Sequence, residues 1–168
     1  NRRNRCRDHG NPARTGCAVT APLILASASK ARADLLRNAG VTFQTKPALV
    51  DEEEVKAALR AEGAPPRDQA DILAEMKALS VSRTTPGALV LGADQILDQS
   101  GDAFDKPTSR ESARDQLIRL RGARHELLSA AVIARDGEPI WRHIGRARLH
   151  MRPFSDAFLE DYLDQMGD

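Results

Sequence analysis

The dipeptide Asp136-Gly137 lies between two long runs of strand-forming sequence, Glu126 to Arg135 and Pro139 to Met151. A two-residue Asp-Gly loop suits the tight turn whose twist matches that of paired strands. The pair therefore predicts an antiparallel hairpin of two long strands. The start of the chain reads differently. Leu23, Ile24 and Leu25 form a short apolar strand, and Ala26 to Ser29 are small residues. A helical pattern then runs to about Asn38, with Leu35 and Leu36 as apolar anchors and Gly40 as its stop. A second short strand, Val41 to Thr45, ends at Pro47. Strand, helix and strand open an α/β fold, while the hairpin demands antiparallel pairing, so the expected fold is one α/β domain with a mixed sheet.

The middle of the chain fills in this outline. Residues 51–62 are acidic and helix-prone, and Gly63, Pro65 and Pro66 interrupt them. A helix is expected from about Arg67 to Arg83, with Ile72, Leu73, Met76 and Leu79 on one face. Pro86 and Gly87 end it, and Ala88 to Leu97 reads as a strand. Thr108 starts a helix to about Leu120, and Ser155 caps a last one bearing Phe158, Leu159 and Tyr162.

Composition narrows the class. The chain has 168 residues, 41% hydrophobic and 29% charged, which suits a single globular domain. No apolar stretch approaches the ~20 residues that a membrane helix requires. A formal net charge of +1 offers no general attraction for a polyanion, and 4% aromatics are too few for a base-stacking platform. Charge is nevertheless uneven: Arg2, Arg3, Arg5, Arg7 and Arg14 crowd the start. Residues 1–20 are read as a disordered basic tail, which cannot bury enough apolar area to offset its ordering. A basic arm for nucleic acid is the functional alternative, and an inert leader the plain one. Cys6, Cys17 and His9 lie in the same stretch at irregular spacing without an obvious fourth zinc ligand. Residues 21–168 contain no cysteine, which suits a reducing cytoplasm.

Several polar residues stand out. Ser27 and Ser29 sit where a strand hands over to a helix, where free N–H groups and the helix dipole favour an anion, and Lys30 and Arg32 add charge. The alternative is an ordinary N-cap at Ser29 with solvated basic neighbours. Asp94 interrupts the apolar run Leu89 to Leu97. Either Gly92 marks a bulge that aims a carboxylate at a metal or a water, or the strand ends there and Asp94 occupies a turn. Lys77 falls at the edge of the stripe made by Leu73 and Met76, either directed into a cleft or covering apolar surface. Glu52 belongs to the acidic run Asp51 to Glu54, Lys106 precedes Pro107 in a loop, and His125 opens a strand as a structural histidine would. No Walker loop, nucleophile elbow, HExxH or Rossmann glycine fingerprint is present.

The order of these residues carries more than any one of them. LILASASKARADLL, VDEEE, ILAEMKA, LVLGADQILD, FDKP and RGARHELLSA follow one another from about Pro22 onward. The series resembles the Maf family of nucleotide pyrophosphatases, whose pattern is LASxSPRRxxLL, a DE pair, LAxxKA, GADT or GSDQ, GKP and a GxxHxVxTG-like strand.

The resemblance implies a twisted mixed sheet flanked by helices, two lobes around a cleft, and relation to inosine triphosphate pyrophosphatases. It implies hydrolysis of the α–β phosphoanhydride of a nucleoside triphosphate, releasing monophosphate and pyrophosphate with a divalent cation such as Mg, Mn or Co. By position, Asp94 is implied as the catalytic base and Glu52 as the acidic residue near metal and attacking water. Ser27, Ser29, Arg32, Lys77 and Lys106 are implied around the triphosphate, and Gln95 as the branch-dependent neighbour of the base. Asp-Gln at 94–95 is similar to the branch acting on 7-methyl-GTP; the dTTP/UTP branch usually has Asp-Thr. A non-catalytic nucleotide-binding or cell-division regulatory module is the alternative from another class. Relatives are often homodimers, so a dimer is an expectation. Three departures stand out. SPRR is SKAR here, leaving Ala31 for the first arginine, with Lys30 as a candidate substitute. The glycine of GKP is Asp105. The glycine-rich C-terminal motifs are missing, so the Maf-like domain at 21–168 is expected to be C-terminally incomplete.

Overall fold

The computed structural model describes residues 21–166, and the readings placed on residues 1–20 lie outside the described residues. The chain runs β1 (Leu23–Leu25), α1 (Lys30–Asn38), β2 (Gln44–Thr45), α2 (Glu52–Ala61), α3 (Pro66–Ser82), β3 (Leu89–Gln99), β4 (Asp102–Phe104), α4 (Arg110–Leu120), β5 (Arg124–Arg135), β6 (Glu138–His150) and α5 (Asp156–Met166). It is a single α/β domain with a mixed sheet, as the sequence predicts. No helix among the described residues is long and apolar enough to cross a membrane.

Asp136 and Gly137 both take positive φ, 51° and 83°, and join β5 to β6 in an antiparallel hairpin. Asp136 Oδ1 accepts from the Gly87 amide at 2.6 Å, and Ser82 Oγ accepts from the Gly137 amide at 3.0 Å. The turn is thus tied to the end of α3. The second short strand shrinks to Gln44–Thr45, because the Val41 amide is spent on the Leu36 carbonyl, closing α1 beyond Gly40 in left-handed conformation. One strand had no expectation: β4, which pairs with the end of β3 across Ser100-Gly101, both at positive φ.

The sheet order is β2-β1-β3-β5-β6, with β4 also on β3. β1 pairs in parallel with Leu89 to Leu91 of β3, and β4 pairs antiparallel with Leu97 to Gln99. β5 pairs with β3 from Val90 to Asp98. Because β5 takes one edge of β3, β1 and β4 share the other, and Gly92 to Ile96 lie between them without a partner strand on that side among the described residues. The sheet opens there, and Asp94 is in the opening.

α3 packs on β3 and β5. Its buried positions include Ala70, Leu73, Ala74, Lys77, Ala78 and Val81, while Ile72 and Met76 are more than a third exposed. The expected apolar stripe is therefore rotated. Ala70, Ala74 and Ala78 join Leu73 on the contact face, because the helix lies close to the sheet. Gly92 permits this approach: a Cβ there would overlap the Ala74 carbonyl oxygen and stand 2.6 Å from the Ala78 amide nitrogen. Gly92 makes no bulge, since its pairing with Val132 and that of Asp94 with Ala130 run without a shift; the irregularity lies at Ile133/Ala134 instead.

Candidate active site

Alternation along β3 puts Val90, Gly92, Asp94 and Ile96 on the buried face under α3. Asp94 is therefore in a strand, not a turn, and looks toward the helix. Lys77 occupies the centre of the α3 contact face, one turn beyond Leu73. Its ammonium donates to Asp94 Oδ1 at 2.7 Å and lies 2.9 Å from Glu52 Oε2. Lys77 thus does not cover surface as a snorkelling side chain would; at 5% exposure it is a buried cation shared by two carboxylates. Burying such charges is tolerable only because they are paired.

Glu52 reaches this position because Asp51 caps α2 and accepts from the Glu54 amide at 3.1 Å. A carboxylate in a first helical turn is also favoured by the helix dipole. The Lys77 contacts engage one oxygen of each carboxylate, leaving Asp94 Oδ2 and Glu52 Oε1 as further oxygen donors.

The opposite wall is the β1–α1 junction. After Ala26 donates its amide to Leu91 carbonyl at 2.8 Å, the chain leaves the sheet. Ser27 Oγ accepts from the Ser29 amide at 3.1 Å and from Arg32 Nη1 at 3.3 Å. Ser29 caps α1 through the Arg32 amide at 3.4 Å. Ser29 is therefore an N-cap, and the same arrangement leaves a helix N-terminus, two hydroxyls and a guanidinium at the cavity. Lys30 is exposed and does not line it, so it does not replace the charge lost at Ala31.

One cavity of about 1030 Å³ is lined by Ser27, Ser29, Arg32, Glu52, Lys77, Asp94, Gln95 and Lys106. Residues spread over the sequence are brought together by the opening in the sheet. Gln95 follows Asp94 and so alternates to the other face of β3, where its amide donates to Ser129 Oγ at 2.7 Å. It borders the cavity from a different direction than the carboxylate beside it. His125 is buried outside the cavity, and its Nδ1 has no hydrogen-bond partner among the described residues.

Three further cavity residues escaped the sequence reading of site residues: Lys56, Arg60 and Asp105. Asp105 Oδ1 is 3.3 Å from Lys56 Nζ, and its Oδ2 is 2.6 Å from Arg60 Nη2. Glu52, Lys56 and Arg60 fall four residues apart on α2, a spacing that places them on one helix face and was open to notice. Burial works to raise the Asp105 carboxyl, but hydrogen bonds from Arg60 and Lys56 outweigh it and hold the group below its ordinary value. Burial likewise pulls the Lys56 ammonium down, and its bonds to Glu53 and Asp105 carry it above its ordinary value.

Among the described residues, the cavity is lined by five basic and five acidic side chains. These charges cancel formally, so the described residues offer no surplus positive charge for a polyanion. The donor set fits a small hard cation: two carboxylates with spare oxygens, a number suited to a magnesium-type ion that also takes water and substrate phosphate. No cluster of three or more His, Cys, Asp or Glu residues able to enclose a metal is present among the described residues.

The family described as Maf-like protein matches residues 22–168. A nucleoside triphosphate pyrophosphatase of Ruegeria pomeroyi is 55% identical over 150 residues, covering 89% of this chain and 75% of the relative. One of the same description from Caulobacter vibrioides is 53% identical over 147 residues, 88% of this chain and 73% of the relative. A 7-methyl-GTP pyrophosphatase of Brucella abortus is 46% identical over 150 residues, 89% and 75% respectively.

Proposed function

The chain belongs to the Maf-like family, and from that premise we propose that it is a nucleoside triphosphate pyrophosphatase that cleaves the α–β phosphoanhydride bond, with 7-methyl-GTP as its preferred substrate. The hydrolase activity itself is that of relatives sharing more than half their aligned residues with it. The base preference rests on Gln95 after Asp94 and on one relative named for 7-methyl-GTP.

The observation that carries the proposal is the meeting of Asp94, Lys77 and Glu52, from three separate elements, in one cavity with the N-terminus of α1. Phosphoanhydride hydrolysis asks for little covalent chemistry. It needs a positioned water, a group to take its proton, and positive charge around the phosphates. In this reading Asp94 orients the attacking water and accepts its proton, while oxygen adds to phosphorus and the bond to pyrophosphate breaks. Lys77 fixes the carboxylate in the direction the water must occupy. Ser27, Ser29, Arg32 and Lys106 bind the phosphate oxygens, and the dipole of α1 adds to their field. A divalent cation held by Glu52 and Asp94 would supply charge neutralisation around the phosphates beyond what the described lining residues provide.

The test is pyrophosphate release from a panel of nucleotides with Mg, Mn or Co, and with excess chelator. Metal-dependent release, highest with 7-methyl-GTP and reduced about a hundredfold in Asp94→Asn, is expected. Release dominated by dTTP would overturn the base preference. Nucleotide binding without release under any metal would leave a binding module instead of an enzyme.

A further inference from the structure

Asp105 stands where the resembled motif has glycine, immediately before Lys106. A carboxylate beside a cation that binds phosphate would ordinarily weaken that cation. The structure gives it other employment. Its two oxygens are divided between Lys56 and Arg60, at 3.3 and 2.6 Å, and its carbonyl accepts from Gln116 Nε2 at 2.9 Å. The first two partners belong to α2 and the third to α4.

These contacts join elements that each contribute lining to the cavity. α2 carries Glu52; its apolar anchors are the buried Leu59 and Val55, which packs partly buried against the core, while the polar face bearing Lys56 and Arg60 is held by ion pairs. The segment after β4 carries Lys106 and, among the described residues, has no strand partner beyond Phe104. Lys56 and Arg60 lie one and two turns past Glu52, on the face that looks across at this segment. Lys56 also keeps an intrahelical partner in Glu53, at 3.1 Å, whereas the bonds to Asp105 reach between elements.

We propose that Asp105 is a positioning residue: its carboxylate ties Lys56 and Arg60 on α2 to the segment bearing Lys106, and so sets the width of the cavity between Glu52 and Lys106. The proposal rests on the pyrophosphatase reading for its effect on substrate, but not for the tie itself. An ion-pair network of partly exposed groups is modest in strength. Its loss therefore loosens the segment without unfolding the protein. Substrate capture suffers because Lys106 must then be ordered on binding, while the reacting groups Asp94 and Lys77 are untouched.

The experiment compares the unaltered chain with Asp105→Asn, Arg60→Gln and the double variant. Two readouts are taken: amide hydrogen exchange over residues 103–109, and KM and kcat for pyrophosphate release. Exchange there is expected to quicken about tenfold in either single variant. KM is expected to rise about fivefold, with kcat held within about twofold. The double variant is expected to match Asp105→Asn, which by itself already removes the contacts to both Arg60 and Lys56. Arg60→Gln alters a side chain 40% exposed, so it keeps the test open should Asp105→Asn fold poorly. Unchanged exchange, additive effects, or a KM that falls because Asp105 merely repelled phosphate would overturn the proposal. Failure of the unaltered chain to release pyrophosphate would count against the enzyme reading alone, because exchange still decides the tie.

Discussion

Lys77 and Asp94, seventeen residues apart, meet at 2.7 Å with 6% and 9% of their side chains exposed. Neither helix propensity nor strand propensity requires this contact. It arises because Lys77 is central on the face of α3 that lies over β3, and Asp94 is on the face of β3 that looks back.

The two partners are unequal, and mutation should reveal it. Lys77→Met leaves Asp94 buried without its cation, at a cost of about 3–5 kcal/mol. Asp94→Asn costs less, because Lys77 retains Glu52 at 2.9 Å. Adding Asp94→Asn to Lys77→Met recovers part of the lost stability, since no uncompensated charge then remains on the strand. Urea unfolding of the three variants checks the order; equal costs for the two single changes would refute it.

Gly92 is held by packing against α3 and not by backbone conformation. Gly92→Ala is expected to destabilise by about 1–3 kcal/mol or more, as overpacking does, although alanine is intrinsically the better strand residue. Gly145→Ala on β6 serves as the contrast. A Cβ there meets nothing nearer than 3.9 Å, and its Tm should stay close to that of the unaltered protein.

Gln95 offers a test of base preference. Its amide bonds Ser129 and not the Asp94 carboxylate, so exchanging it should spare the reacting groups. Gln95→Thr is expected to lower the ratio of kcat/KM for 7-methyl-GTP over dTTP by about tenfold. An unaltered ratio would remove Gln95 from substrate selection.

The tie at Asp105 has a defined pH window. The Asp105 carboxyl lies below its ordinary 3.8, so its stabilisation is present above that value and lost as pH falls through the folded-state value. The Lys56 ammonium lies above its ordinary 10.5, so its stabilisation is present below that value and lost as pH rises through the folded-state value. The Tm difference between the unaltered chain and Asp105→Asn should therefore be flat across the neutral range and shrink in acid below 3.8. A difference that grows in acid would contradict the assignment.

Legibility in the sequence followed the range of the forces involved. The Asp136-Gly137 turn, the Ser29 cap and the β1–α1 junction depend on neighbours a few residues away, and each was readable. The α3 face departs from expectation at Ile72 and Met76, which are more hydrophobic than the alanines buried in their stead, whereas Leu73 is buried and Leu79 packs against the core as the pattern predicts. Hydrophobicity ranks side chains by their gain on burial, whereas Gly92 selects them by size. β4 was missed because three residues carry too little periodicity, although Ser100-Gly101 marked its turn.

The sequence by itself determined the mixed α/β class, the order of elements and, through the ordered motifs, the identity of the residues to watch. Those properties reside in local periodicity, turn chemistry and residue type. Only the tertiary structure decided that Asp94 sits in a strand facing Lys77, that Gln95 turns to the other side, and that Asp105 is neutralised by Lys56 and Arg60. Such pairings depend on how closely α3 approaches the sheet and where β1 and β4 leave its edge open, and these are distances between segments that no local pattern encodes.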